Sequence, residues 1–276
     1  ITQESIRQLN SNQNIFELNP IKEIEQNLPK YSDLNILVKT SFVEKIIGKK
    51  NIFLNTETWS SFDVELEQDI LLLNGVTNRG AIEYLQDTQY SNANIANVEQ
   101  ILPRHITGFY KYQVNNSKDL NCVINSIGNN IQNTYHISDK TWQPTEINIA
   151  YTDSYFDKIT YLAFSTNNYK ICKEQLTNDN ITDYLDFKIY NTEIPQTDWI
   201  NEISKDWDNF FFILYDKYFV CASSKKEVKL LINNITSQQT ISQNQAIQLM
   251  NATLGNKSHT SFYLAFHNQS NTWKDV

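Results

Sequence analysis

Hydrophobic and polar positions along this chain switch between two periods, and each switch marks an element. Phe62, Val64 and Leu66 alternate with Asp63, Glu65 and Glu67, the two-residue repeat of a strand with one buried face. Beyond Gln68-Asp69 the run Ile70-Leu71-Leu72-Leu73 predicts a more fully buried return strand ending at Asn74-Gly75, so the region reads as a hairpin. Earlier, Leu34-Asn35-Ile36-Leu37-Val38 predicts a mostly buried strand. After Thr40-Ser41, residues Phe42, Val43, Ile46 and Ile47 fall on one helical face.

A similar order returns further on. Leu28-Pro29 precedes the first of these strands, and Leu102-Pro103 precedes 106–114, where Tyr110, Tyr112 and Val114 alternate with Lys111 and Gln113 as in a half-buried strand. Asn116-Ser117 then lead into Leu120, Val123, Ile124 and Ile127, one helical face closed by Gly128. The shared order of Leu-Pro, turn, strand, polar cap and amphipathic helix is consistent with an internal duplication. It divides the chain into 1–101, incomplete at its N-terminus, and 102–276, the two packed together as one unit.

The last third has the clearest local signals. Residues 210–215 and 218–222 read as strands meeting at Asp216-Lys217. Ser224-Lys225-Lys226-Glu227 has capping-box spacing, in which each side chain can satisfy an orphan backbone N–H, and Val228, Leu231, Ile232 and Ile235 form the buried stripe that follows. Ser242-Gln243-Asn244-Gln245 repeats the spacing and opens a second helix through Ala246, Leu249 and Met250. Residues 260–266 then return as a strand. Strands and helices alternate irregularly, with hairpins as well as crossovers. The expected class is α+β, a largely antiparallel sheet with packed amphipathic helices, rather than a doubly wound fold.

Composition supports a packed core: 40% of the 276 residues are hydrophobic and 12% aromatic. Asparagine is the commonest residue, but it is interleaved with Ile, Leu, Phe and Tyr, unlike a low-complexity tract. The net charge of −8 argues against a nucleic-acid partner, and Lys49-Lys50 and Lys225-Lys226 are too short to reverse that. The strongest apolar run, Phe210-Phe211-Phe212-Ile213-Leu214, is strand-length and far short of the ~20 residues of a membrane-spanning helix. The chain starts at Ile1 and its single Met is Met250, so a processed or shortened chain is expected, with any targeting segment upstream.

Chemistry-bearing motifs are sparse. With six Gly and no G-x-G-x-x-G or G-x-x-x-x-G-K-[ST], no phosphate-cradling loop is expected, and neither G-x-S-x-G nor H-E-x-x-H occurs. Cys122, Cys172 and Cys221 lie among apolar neighbours and read as small buried hydrophobes. One disulfide remains open for an exported protein, with at least one thiol left over. His105, His136, His259 and His267 are scattered, and a strand between the last two would hold them roughly 25 Å apart, too far to share a metal. Asp153 with Asp157, Asp183 with Asp186, and Asp206 with Asp208 sit beside Tyr155, Phe156, Tyr184, Phe187 and Trp207, the ingredients of a glycosidase site but also of ordinary polar faces. Asn178 to Asp183 alternates oxygen ligands, yet lacks the Gly and distal Glu of a calcium loop and reads as a turn. The sequons at Asn180, Asn234 and Asn251 carry little weight in so Asn-rich a chain. Any of Trp59, Trp142, Trp199, Trp207 and Trp273 could be a stacking platform, although most Trp residues are buried.

Trp59-Ser60-Ser61-Phe62-Asp63-Val64 followed by Leu71-Leu72-Leu73-Asn74-Gly75 resembles a signature of an uncharacterised family of exported bacterial envelope proteins. So does Tyr218-Phe219-Val220-Cys221-Ala222-Ser223-Ser224 with its helix, then Thr240-Ile241-Ser242, a second helix and Ser261-Phe262-Tyr263-Leu264. The resemblance runs in order from about Pro29 onward. It implies a location in the periplasm or at the cell surface, behind an N-terminal signal or membrane anchor, with no catalytic residues to carry over. This chain departs from it in lacking the leader and in stopping soon after Phe266. The expected function is therefore a non-catalytic binding or scaffold module, with no catalytic residues, metal or cofactor, binding a protein or glycan of the envelope and touching the membrane only through an anchor outside this segment. The alternatives are a carbohydrate-active hydrolase using an Asp pair, and a self-associating structural module.

Overall fold

A computed structural model of the chain describes residues 21, 22, 24, 35–39, 59–67, 70–77, 98–127, 141–152, 158–176, 180–192, 198–245, 247, 248 and 260–264. The chain forms two compact units, residues 1–90 and 91–276.

The first unit holds a three-stranded antiparallel sheet in the order β1 (Asn35–Lys39), β2 (Trp59–Glu67), β3 (Ile70–Thr77). The hairpin read from the alternation is present: β2 and β3 pair from Ser60 with Thr77 to Glu67 with Ile70. Strand β1 departs from expectation. It pairs only with β2 among the described residues, and Ile36 is 39% exposed, with Leu37 and Val38 half-buried. A continuous apolar run predicts a strand but says nothing about whether both of its flanks are covered. The helix expected at 42–47 lies outside the described residues.

The second unit is built on an eight-stranded sheet. In chain order its elements are β4 (Gly108–Gln113), α1 (Ser117–Ile127), β5 (Pro144–Tyr151), β6 (Tyr161–Thr166), α2 (Tyr169–Leu176), β7 (Asn180–Tyr184), β8 (Phe187–Thr192), α3 (Asp198–Ile203), β9 (Phe210–Tyr215), β10 (Tyr218–Ala222), α4 (Lys225–Thr236) and β11 (Thr260–Leu264). The order across the sheet is β11-β4-β5-β6-β10-β9-β8-β7, and every described pairing is antiparallel. The molecule is sheet-dominated, with four α-helices among the described residues.

Both faces of this sheet are covered, which follows from the sequence of β6 and β10. Tyr161-Leu162-Ala163-Phe164 and Tyr218-Phe219-Val220-Cys221-Ala222 are apolar at every position, so alternate side chains enter two different cores. On one face Ala163, Val220, Ile213 and Tyr218 pack with Val228, Leu231 and Ile232 of α4. On the other, Phe164 and Phe219 stack 5.3 Å apart at 15°. There Trp199 of α3 meets Phe164 edge-on at 5.1 Å, and Trp142 lies 5.3 Å from Phe219. Helix α1 packs on α3. Its start is capped as the sequence suggests, the Asn116 side chain accepting from the Asp119 N–H while the Asp119 carboxylate accepts from the Asn115 N–H.

Two expectations are corrected here. Strand β4 is not half-buried: every position from Gly108 to Gln113 is buried, including Lys111 and Gln113. The alternation of Lys and Tyr is real, but the polar set faces polar partners inside the protein rather than water. The second capping box does not cap a helix either. Ile241–Gln243 form a 3-10 turn, Asn244 donates its N–H to the Ile241 carbonyl, and the first helical bond runs from the Gln248 N–H to the Asn244 carbonyl. Ser242 instead exchanges a 2.8 Å hydrogen bond with the Thr240 hydroxyl. The turn uses the residues that the spacing assigns to a cap.

Candidate functional site

Cross-strand register gathers a polar cluster on the α4 side of the sheet. Gln113 pairs with Glu146, Lys111 with Asn148, Glu146 with Ser165, and Ser165 with Tyr218. At its centre the Glu146 carboxylate accepts from the Tyr218 hydroxyl (2.9 Å), the Asn148 amide (2.9 Å) and the Gln113 amide (3.2 Å). Lys111 is 2% exposed. Burial pulls its ammonium below the usual lysine range. The charges of Glu146 and Glu99 oppose that fall, and Lys217 adds to it. The Glu146 side chain is itself enclosed, so its acceptor capacity is directed at protein donors. This cluster joins β4, β5 and β10 from within.

The accessible feature lies at the far edge of the sheet. Strand β7 pairs with β8 and, among the described residues, with no strand on its outer side. Its Thr182 and Tyr184 side chains face α4. Lys225 Nζ donates to the Thr182 hydroxyl (3.0 Å), the Tyr184 hydroxyl donates to Asn233 Oδ1 (3.1 Å), and the Lys229 ammonium sits 4.7 Å from the Tyr184 ring centre. Beside them Lys225, Lys226, Lys229, Leu230 and Asn233 line an open concavity of about 540 Å³. Helix α4 is held in place by its cap. The Ser224 hydroxyl accepts from the Glu227 N–H, and the Glu227 carboxylate accepts from the Ser223 and Ser224 hydroxyls. Three large hydrophobic side chains are exposed at this corner: Ile181 (41%), Leu185 (61%) and Leu230 (44%). Leu185 holds a φ of 50° in the turn between β7 and β8, a conformation that disfavours a side chain with a Cβ.

The candidate residues from the sequence are dispersed. Asp183 and Asp186 are exposed on the β7–β8 hairpin, and Asp206 and Asp208 are exposed before β9. Asp153 and Asp157 lie outside the described residues. The segment read as a turn at Asn178 to Asp183 is, from Asn180 onward, the edge strand β7. Its Ile181, Thr182 and Tyr184 are strand-forming residues, a signal masked by the surrounding Asn and Asp. Cys172 and Cys221 are buried thiols that donate to the Thr141 and Leu162 carbonyls, and burial pushes the Cys221 thiol well up. The Cys122 side chain lies outside the described residues. Trp142 and Trp199 are buried, Trp59 and Trp207 half-buried, and Trp273 is outside the described residues. His105 is exposed, with burial of part of its surroundings lowering its pKa, and His136, His259 and His267 are outside the described residues. Asn234 is buried, donating to the Leu230 carbonyl. Among the described residues no group of three His, Cys, Asp or Glu side chains could hold a metal, and no helix is long and apolar enough to cross a membrane.

No protein-family model, curated protein or solved structure matches this chain.

Proposed function

We propose that this chain is a non-catalytic binding or scaffold module of an exported envelope protein, an α+β unit with two duplicated halves, held at the membrane by an anchor outside this segment. The observation that carries the binding reading is the corner formed by β7 and α4. There a strand edge with no outer neighbour among the described residues, exposed apolar side chains and a concavity walled by the stems of three lysines coincide. The enclosure of Glu146 by three internal donors supports a structural use of that carboxylate, and none of the exposed Asp183, Asp186, Asp206 and Asp208 lines the concavity beside α4. The resemblance to exported envelope proteins supports the location.

The test is amine-reactive crosslinking of the whole protein in its own cells, followed by envelope fractionation. A crosslinked adduct in the envelope fraction is the expected result. A cytoplasmic protein without adducts would sink the reading, and so would turnover of an envelope glycan that is lost in Asp183→Asn or Asp206→Asn. The second of these results would restore the hydrolase.

A further inference from the structure

We infer that the outer edge of β7 and the lysine-lined concavity beside it take an extended acidic segment of a partner protein as an added strand. This rests on the binding reading above and names the chemistry of the partner.

Strand addition needs an edge whose backbone is not already paired, and β7 is the last strand of its sheet among the described residues. Natural edges are usually blunted by proline, bulges or an inward charge. The strand Asn180-Ile181-Thr182-Asp183-Tyr184 has no proline, and its pairing with β8 runs without a register shift. Of the five large hydrophobic residues exposed among the described residues, three lie at this corner.

The orientation of alternate side chains specifies the guest. Thr182 and Tyr184 face α4, as their contacts with Lys225, Asn233 and Lys229 require. Ile181 and Asp183 therefore lie on the opposite face of the sheet. A strand added outside β7 would place one set of its side chains beside Lys225, Lys226 and Lys229 and the other set beside Ile181 and Asp183. The complementary sequence alternates acidic with apolar residues. The three lysines gather positive charge on the α4 side of β7 while Asp183 lies on its other face, so the α4 side favours the acidic set of the guest's side chains. A second copy fits poorly. Two β7 edges paired antiparallel would put both α4 helices on the same face of the joined sheet, lysines toward lysines.

The test uses the full chain and a fluorescein-labelled peptide in which Glu alternates with Val, read by anisotropy and by backbone hydrogen exchange. Saturable binding is expected, with slowed exchange at 180–184. Lys225→Glu/Lys226→Glu/Lys229→Glu should weaken it about tenfold or more. Ile181→Asp should weaken it independently, through the other face. Thermal melts of both variants establish that each is folded. Equal binding by the triple variant, or binding without slowed exchange at β7, overturns the inference. A peptide-free dimer with slowed β7 exchange points to a second copy, and binding of a sulfated polysaccharide with β7 exchange unchanged points to a plain polyanion site; either result also overturns it. If cellular crosslinks survive the triple variant unchanged, the edge assignment fails and the binding reading stands. If the wild-type chain gives no crosslinks, the binding reading itself fails.

Discussion

Glu146 accepts hydrogen bonds from Tyr218, Asn148 and Gln113 and lends its charge to Lys111, so four buried polar residues depend on one carboxylate. Buried donors that lose their acceptor cost about 1–3 kcal/mol each, and breaking a buried charged cluster about 3–5 kcal/mol in all. Glu146→Ala is therefore expected to destabilise the protein by about 3–5 kcal/mol in urea unfolding. Glu146→Gln, which keeps one amide oxygen as acceptor, should cost roughly half as much. Lys111→Met should be better tolerated in the Glu146→Gln background than alone, since the charge it leaves behind is then absent. Equal costs for Ala and Gln would show that the carboxylate fills space and organises nothing. The cluster was half legible in the sequence. The alternation in β4 located Lys111 and Gln113 on one face, but their burial depends on Asn148 and Glu146, placed opposite them by a register no local pattern contains.

Helix α4 is the element on which the candidate binding corner depends, and its cap is the most testable part of it. Ser224 satisfies the Glu227 N–H and, with Ser223, donates to the Glu227 carboxylate. Ser224→Ala should cost about 1 kcal/mol in thermal or urea unfolding. Ser224→Asn should recover most of it, because an Asn side chain also caps and brings no second negative charge beside the Glu227 carboxylate. A loss of the same size in both variants would assign the effect to packing. This element was readable because its information is local: Ser224 and Glu227 are three residues apart, and β9 and β10 are joined by a turn at Asp216, which tolerates its φ of 52°. Strand β6 lies next to β10, which comes after two helices and three other strands. That adjacency, which makes one continuous sheet and leaves β7 at its edge, is long-range and leaves no mark in any window of sequence. The corner was missed for the same reason. Lys225 and Lys226 read only as a basic pair too short for nucleic acid until β7 is placed beside α4.

At the scale of the whole molecule, the large sheet stores ionisable groups whose pH dependences oppose one another. Burial pushes Tyr110 from 10.0 up to about 12, and burial with the nearby Glu227 charge pushes Tyr161 higher still. A folded-state value above the unfolded one means that stability is fully present below pH 10 and lost as pH rises through the folded value. For Tyr110 alone that loss is on the order of 2–3 kcal/mol between about pH 10 and pH 12. Lys111 has the opposite sign. Its folded value is depressed, so the unfolded chain holds the extra proton, and stability rises with pH from the folded value up to the ordinary lysine range near 10.5. Stability should therefore gain from Lys111 as pH rises toward 10.5 and lose from Tyr110 and Tyr161 as pH rises beyond 10. Urea unfolding at stepped pH would resolve the two limbs. Tyr110→Phe should flatten the falling limb, and Lys111→Met should flatten the rising one without moving the fall. If neither substitution changes its limb, the buried rings and the lysine ionise only after the sheet has opened by another route.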